Sequence, residues 1–137
     1  MPPASEPGLL TALRERVVVA DGAMGTMLQA HDLDVDVDFQ GHEGCNEILN
    51  VTRPDVVRSV HDAYFAAGVD CVETNTFGSN WAALAEYGIP ERIHETALAG
   101  ARIAREAADH WSTPDRPRWG STASGTESSS SLPPARG

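Results

Sequence analysis

Two β-rich runs flank one strongly marked helix, and that order constrains the fold more than any other feature of the chain. Val17 to Ala20 is a continuous β-branched run, the pattern of a strand covered on both faces as in a parallel sheet. Residues 52–68 follow helical spacing through Val56, Val60, Ala63 and Ala67, with Thr52 as N-cap, Pro54 and Asp55 in the first turn, and Gly68 as the stop. VDCVETNTF then returns to strand-forming residues. Strand, helix, strand is a βαβ unit, and it defines an α/β class with parallel strands.

Around this unit the spacing predicts four further pieces. Leu9, Leu10 and Leu13 mark a short leading helix, and Ala23 to Ala30 a short helix or turn. Residues 31–50 read as a long loop, and helices are expected at about Asn80 to Glu86 and Glu91 to Trp111. The last of these carries Ile93, Ala97, Ala101, Ala104 and Ala108 along one face. A third strand is due after Trp111, but beyond RPRW the chain becomes GSTASGTESSSSLPPARG, too poor in apolar side chains to bury. The expected organisation is a disordered start over 1–8, an α/β portion over 9–119, and a low-complexity, disordered tail over 120–137.

Composition narrows the function classes. The 137 residues suffice for one ordinary domain, whereas α/β barrels need roughly 200 to 250 or more. Acidic residues outnumber basic ones 20 to 10, every basic residue is arginine, and the formal charge of -10 disfavours a phosphate backbone as partner. No run approaches the roughly 18 apolar residues of a membrane span, and no basic region precedes an apolar one at the start. A cytoplasmic protein without nucleic-acid or membrane partners is expected. Cys45 and Cys71 are read as free thiols.

Polar residues gather where both strands end, which is where parallel βα folds collect their chemistry. Asp21-Gly22 follows the first strand, and Glu73-Thr74-Asn75-Thr76 follows the second. A carboxylate beside glycine amides can take a ligand ammonium on the one and a ligand carboxylate on the other, which suits an α-amino acid. Structural readings stand beside this: Asp21 as a helix cap, Gly22 and Gly25 as turn formers, Thr74 and Asn75 as strand-end partners. DGAMGT has neither the GxxxxGK[ST] nor the GxGxxG spacing of phosphate loops. The acidic segment DLDVDVDF fails as an EF-hand because its sixth position is Val37, although Glu43 occupies the twelfth. It reads as a solvated loop.

Three stretches together, ADGAMGTMLQ, CNEILNVTRPDVVRSVHDAYFAAGVD and VETNTFGSN, resemble the homocysteine S-methyltransferase family, and within it the amino-terminal homocysteine-binding domain of cobalamin-dependent methionine synthases. The resemblance covers roughly residues 9–119. It implies the first two to three βα units of a (β/α)8 TIM barrel, with homocysteine and zinc at the carboxyl ends of the strands. Zinc would hold the homocysteine sulfur as a thiolate, and a cobalamin domain would deliver the methyl group. By the same resemblance Asp21 contacts the substrate amino group, the amides of Gly22 and Ala23 meet its carboxylate, and Thr74 touches the substrate, with Glu73 and Asn75 as neighbours.

Zinc, folate and cobalamin are implied by the family alone. Its zinc cysteines, including a Cys-Cys pair, belong to later strands, and neither Cys45 nor Cys71 matches them. His42 and Cys45 form an isolated HxxC, while His31, His61, His94 and His110 have no partners at ligand spacing and read as surface or helix residues. The expectation is therefore a fragment of a methyltransferase, inactive alone and complemented by the missing barrel and cobalamin domains, with a shifted reading frame or gene-model error near Trp119 as its origin. The alternatives are a small amino-acid-binding module and an interaction module.

Overall fold

The computed structural model describes residues 8–121, so the expectations for the first seven and last sixteen residues lie outside it. In chain order the elements are α1 (Leu9–Glu15), α2 (Gly25–Gln29), a 3-10 turn at Asn46–Ile48, α3 (Leu49–Thr52), α4 (Pro54–Ala67), β1 (Cys71–Glu73), α5 (Trp81–Glu86), a 3-10 turn at Pro90–Arg92, α6 (Ile93–Trp111) and β2 (Trp119–Ser121). β1 and β2 pair in parallel, Cys71 opposite Trp119 and Glu73 opposite Ser121. On the other side of β1, Ala20 makes a parallel bridge to Cys71. Three successive extended segments thus lie side by side in sequence order.

α4 forms for the reasons read from its sequence. Pro54 at its start needs no hydrogen-bonded N–H, and Gly68 closes it at φ 110°, a left-handed conformation costly for any residue with a Cβ. Its Phe65 packs with Val69, Val72 and the alanines Ala104, Ala107 and Ala108 of α6, and the small side chains let the two helices approach closely. Full burial of a ring of this size contributes about 2–3 kcal/mol. A second cluster joins Val56, Val57 and Val60 to Leu28, Leu49 and Ile103. Tyr64 borders both clusters.

Five expectations need correction. The first β-branched run is extended but forms only the Ala20 bridge, and Val17 and Val19 are 84% and 51% exposed because no described element covers them. The long loop ends early, since Asn46–Thr52 is helical. Thr52 consequently closes α3 instead of capping α4; its hydroxyl donates to Asp38 O at 2.5 Å, and Arg53 holds the cap position of α4. The buried face of α6 runs through Thr96, Gly100, Ile103, Ala104, Ala107 and Ala108, so Ala97 and Ala101 lie at its margin. Finally, the third strand is present: Trp119–Ser121 pairs with β1, and Gly120 fits against Ala104 where a Cβ would lie 3.3 Å from the alanine's own. The strand therefore includes Gly120 and Ser121, both expected in the tail.

One carboxylate knits the amino-terminal ends of the three segments. Asp70 accepts from Val19 N at 3.0 Å and from Arg16 at 3.1 Å, while its backbone oxygen accepts from Trp119 N at 3.0 Å. Arg116 lies 3.8 Å from it. Burial works to raise the Asp70 carboxyl, but the Val19 amide, Arg16 and Arg116 outweigh it and hold the group below its ordinary value.

Candidate functional site

The opposite ends of the strands form a cleft. Asp21 N donates to Cys71 O at 3.0 Å, and Glu73 N donates back to the Asp21 carboxylate at 3.0 Å, so the two polar clusters are locked together just past the sheet. Between them lies a cavity of about 250 Å³ lined by Asp21, Gly22, Ala23, Met24, Glu73, Thr74, Asn75 and Phe77. All six residues expected from the sequence lie on its wall. Their side chains are not equivalent.

Asp21 is half-buried, and burial, with the charge of Glu73 as a smaller contribution, raises its carboxyl to about 6 despite the Glu73 amide it accepts. Beside it, the amides of Gly22, Ala23 and Met24 find no acceptor among the described residues. Anionic acceptor and free donors thus stand next to one another. Glu73 is exposed and adds a second negative charge. Thr74 is buried, its amide donating to Ser121 O at 2.8 Å and its hydroxyl sharing a 2.6 Å hydrogen bond with Thr76. The Asn75 side chain is spent on structure: its Nδ2 donates to Asn46 O at 2.9 Å and to Asn50 Oδ1 at 3.0 Å.

A supporting layer behind the cleft was not anticipated. Asn50 Nδ2 donates to Asn75 O and Thr96 O, tying α3 to the strand-end loop and to α6. Glu47 accepts from Gly78 N at 2.8 Å, and a Cβ at Gly78 would lie 2.7 Å from that carboxylate, so a larger residue there would displace the Glu47 side chain. Tyr64 donates to Ala23 O at 2.8 Å from the other side. No local signal in CNEILN marks these residues, because their partners lie in the segment 75–78 and in α6.

The remaining chemistry-bearing residues do not converge. The His42 ring stands edge-on to Tyr87 at 6.2 Å, while Cys45 turns its thiol toward Glu47, 3.9 Å away. Burial pushes both the Cys45 and Cys71 thiols up, the opposite of what a metal ligand needs. Among the described residues no three His, Cys, Asp or Glu side chains are grouped to hold a metal ion. The zinc implied by the resemblance does not fit these residues. His31, His94 and His110 are exposed as expected, but His61 is fully buried with neither ring nitrogen hydrogen-bonded, and burial lowers its pKa to about 4.

Comparison with known proteins places the chain in a family. The profile of the family described as homocysteine S-methyltransferase matches residues 18–135, and the chain belongs to that family. Over 121 residues, 87% of the chain, it is 55% identical to a methionine synthase of Mycobacterium tuberculosis, of which the aligned part is 10%. A methionine synthase of Mycobacterium leprae is 53% identical over the same length and share. The chain is thus similar to a piece of methionine synthase, spanning about a tenth of these relatives. In fold it is similar to the Escherichia coli homocysteine methyltransferase MmuM in its metallated form, with a TM-score of 0.62 and 21% identity over 80% of this chain and 38% of that one.

Proposed function

We propose that the chain forms the amino-acid-gripping corner of a homocysteine S-methyltransferase, contributing the first βα units of a (β/α)8 barrel. The observation that carries this reading is the half-buried Asp21 carboxylate standing beside the unpaired amides of Gly22, Ala23 and Met24 in one cleft. Asp21, with Glu73 adding field, takes the homocysteine ammonium, and the amides take the α-carboxylate. Thr74, held by Thr76, shapes the wall along which the side chain runs. Asn75 serves the cleft through its backbone, while its amide secures the loop.

In this reading the portion from residue 9 through β2 is the partial barrel, and cytoplasmic methionine synthesis is its setting. Side-by-side parallel segments in sequence order, the first two followed by helices that pack back, support it. Recognition of the substrate backbone is the role of these residues. Zinc and cobalamin, when part of a complete synthase, supply thiolate formation and the methyl group from elsewhere. Residues 122–137 would then be a low-complexity tail.

Calorimetric titration of the 137-residue chain with L-homocysteine tests the reading. Saturable binding that Asp21→Asn weakens about tenfold or more is expected, the worth of a charged hydrogen bond. Absence of binding, or binding indifferent to that substitution, overturns it.

A further inference from the structure

We infer that Tyr64 is a positioning residue that aims the carboxylate-binding amides of the cleft, an inference that rests on the proposed function. Tyr64 projects from α4, its half-buried ring packed against two core clusters, which restrains where its hydroxyl can reach. That hydroxyl donates to Ala23 O at 2.8 Å. In a planar trans peptide the C=O and the next N–H point in opposite directions. Fixing Ala23 O toward α4 therefore turns the Met24 N–H away from α4, and Met24 lines the cleft with that amide unpaired. The same hydroxyl seats the preceding residue, since a Cβ on Gly22 would lie 3.3 Å from it.

The loop needs such a hold. No side chain caps α2, whose preceding residue is Met24, and the Gly22-Ala23-Met24 amides make no internal hydrogen bonds that would fix their direction. Rotation of the 23–24 peptide would replace a donor facing the ligand carboxylate with a carbonyl oxygen, which repels it. Tyr64 blocks that rotation from outside the cleft, without touching the ligand.

A merely structural tyrosine would weaken all ligands alike, whereas an aiming tyrosine acts on the ligand carboxylate alone. L-homocysteine and its carboxamide, L-homocysteinamide, share the ammonium and thiol and differ only at that group, so both are titrated into the unaltered chain and into Tyr64→Phe. Loss of one neutral hydrogen bond predicts about a fivefold weaker affinity for homocysteine, with less than about a twofold change for the amide. Circular dichroism checks that the variant folds; if it does not, Gly22→Ala, which presses on the hydroxyl, carries the same test. Equal losses for both ligands, no loss for either, or an unaltered chain that does not prefer the acid overturn the inference while leaving ammonium recognition by Asp21 standing. An unaltered chain that binds neither ligand overturns the cleft reading and the inference together.

Discussion

Asn50 and Asn75 hold each other in both directions: Asn50 Nδ2 donates to Asn75 O at 2.7 Å, and Asn75 Nδ2 donates to Asn50 Oδ1 at 3.0 Å. Asn50→Ala leaves Asn75 O and Thr96 O without this donor inside the protein and removes an acceptor from Asn75. The expected cost is about 2–3 kcal/mol in urea unfolding. A loss under about 0.5 kcal/mol would mean that water replaces the pair and that the loop does not depend on it.

Gly100→Ala sets two effects against each other in the same place. Alanine in a helix interior is favoured over glycine by about 1 kcal/mol. Here, however, a Cβ would lie 2.7 Å from both Asn50 Nδ2 and Thr76 Cγ2, and overpacking of this kind costs about 1–3 kcal/mol. Net destabilisation is expected, read as a lower thermal midpoint.

Ligand binding should depend on pH through Asp21. With its carboxyl raised to about 6, the ammonium-binding form is depleted as pH falls below that value, and affinity drops about tenfold per unit. The stability of the free chain runs the other way. Because the folded pKa exceeds the ordinary 3.8, Asp21 favours folding at low pH, and this contribution is lost as pH rises through about 6. Asp21→Asn should therefore stabilise the free chain at neutral pH while weakening its hold on homocysteine. A pH-independent affinity would contradict this assignment.

His61 makes the opposite pH statement. Its pKa is lowered from 6.5 to about 4 by burial, so the unfolded chain binds the proton more readily and the fold loses stability as pH falls from about 6.5 toward 4. The span corresponds to about 3 kcal/mol at full extent. His61→Leu, which removes two unpaired ring nitrogens from an apolar helix face, should flatten that loss in denaturation series between these pH values.

The Asp70 clasp has a test of its own. Asp70→Ala removes the acceptor of Val19 N and the partner of Arg16, and a cost of about 2 kcal/mol is expected. Since the folded pKa lies below the ordinary value, the contribution is present above about pH 4 and lost as pH falls through the folded pKa. Chemical denaturation at pH 7 measures the difference; an unchanged midpoint would remove Asp70 from the list of residues joining the strands.

Local signals account for what was legible in the sequence. Pro54 and Gly68 punctuate α4 by backbone geometry alone, and α5 begins where Asn80 accepts from Ala83 N, a capping interaction made within one turn. The strand-end residues of the cleft were legible because their polarity interrupts β-rich runs. What was missed is tertiary. Asn46, Glu47 and Asn50 look like loop residues until the segment 74–78 is placed against them. The α6 face was displaced because alanines spread around the helix offer little contrast between inside and outside. Coverage of Val17 and Val19 depends on neighbours rather than on their own character, and His61 carries no local mark of burial.

The pairing of each segment with the next in sequence also bears on synthesis. Every residue of the cleft lies between positions 21 and 77, and the helix that backs it closes by residue 111. A nascent chain emerging from the ribosome at about 5–20 residues per second exposes this whole corner in a matter of seconds to tens of seconds. Of the partners described for the cleft, only Ser121, whose carbonyl oxygen accepts from Thr74 N, is still to follow, so most of this corner can assemble vectorially before its last strand arrives.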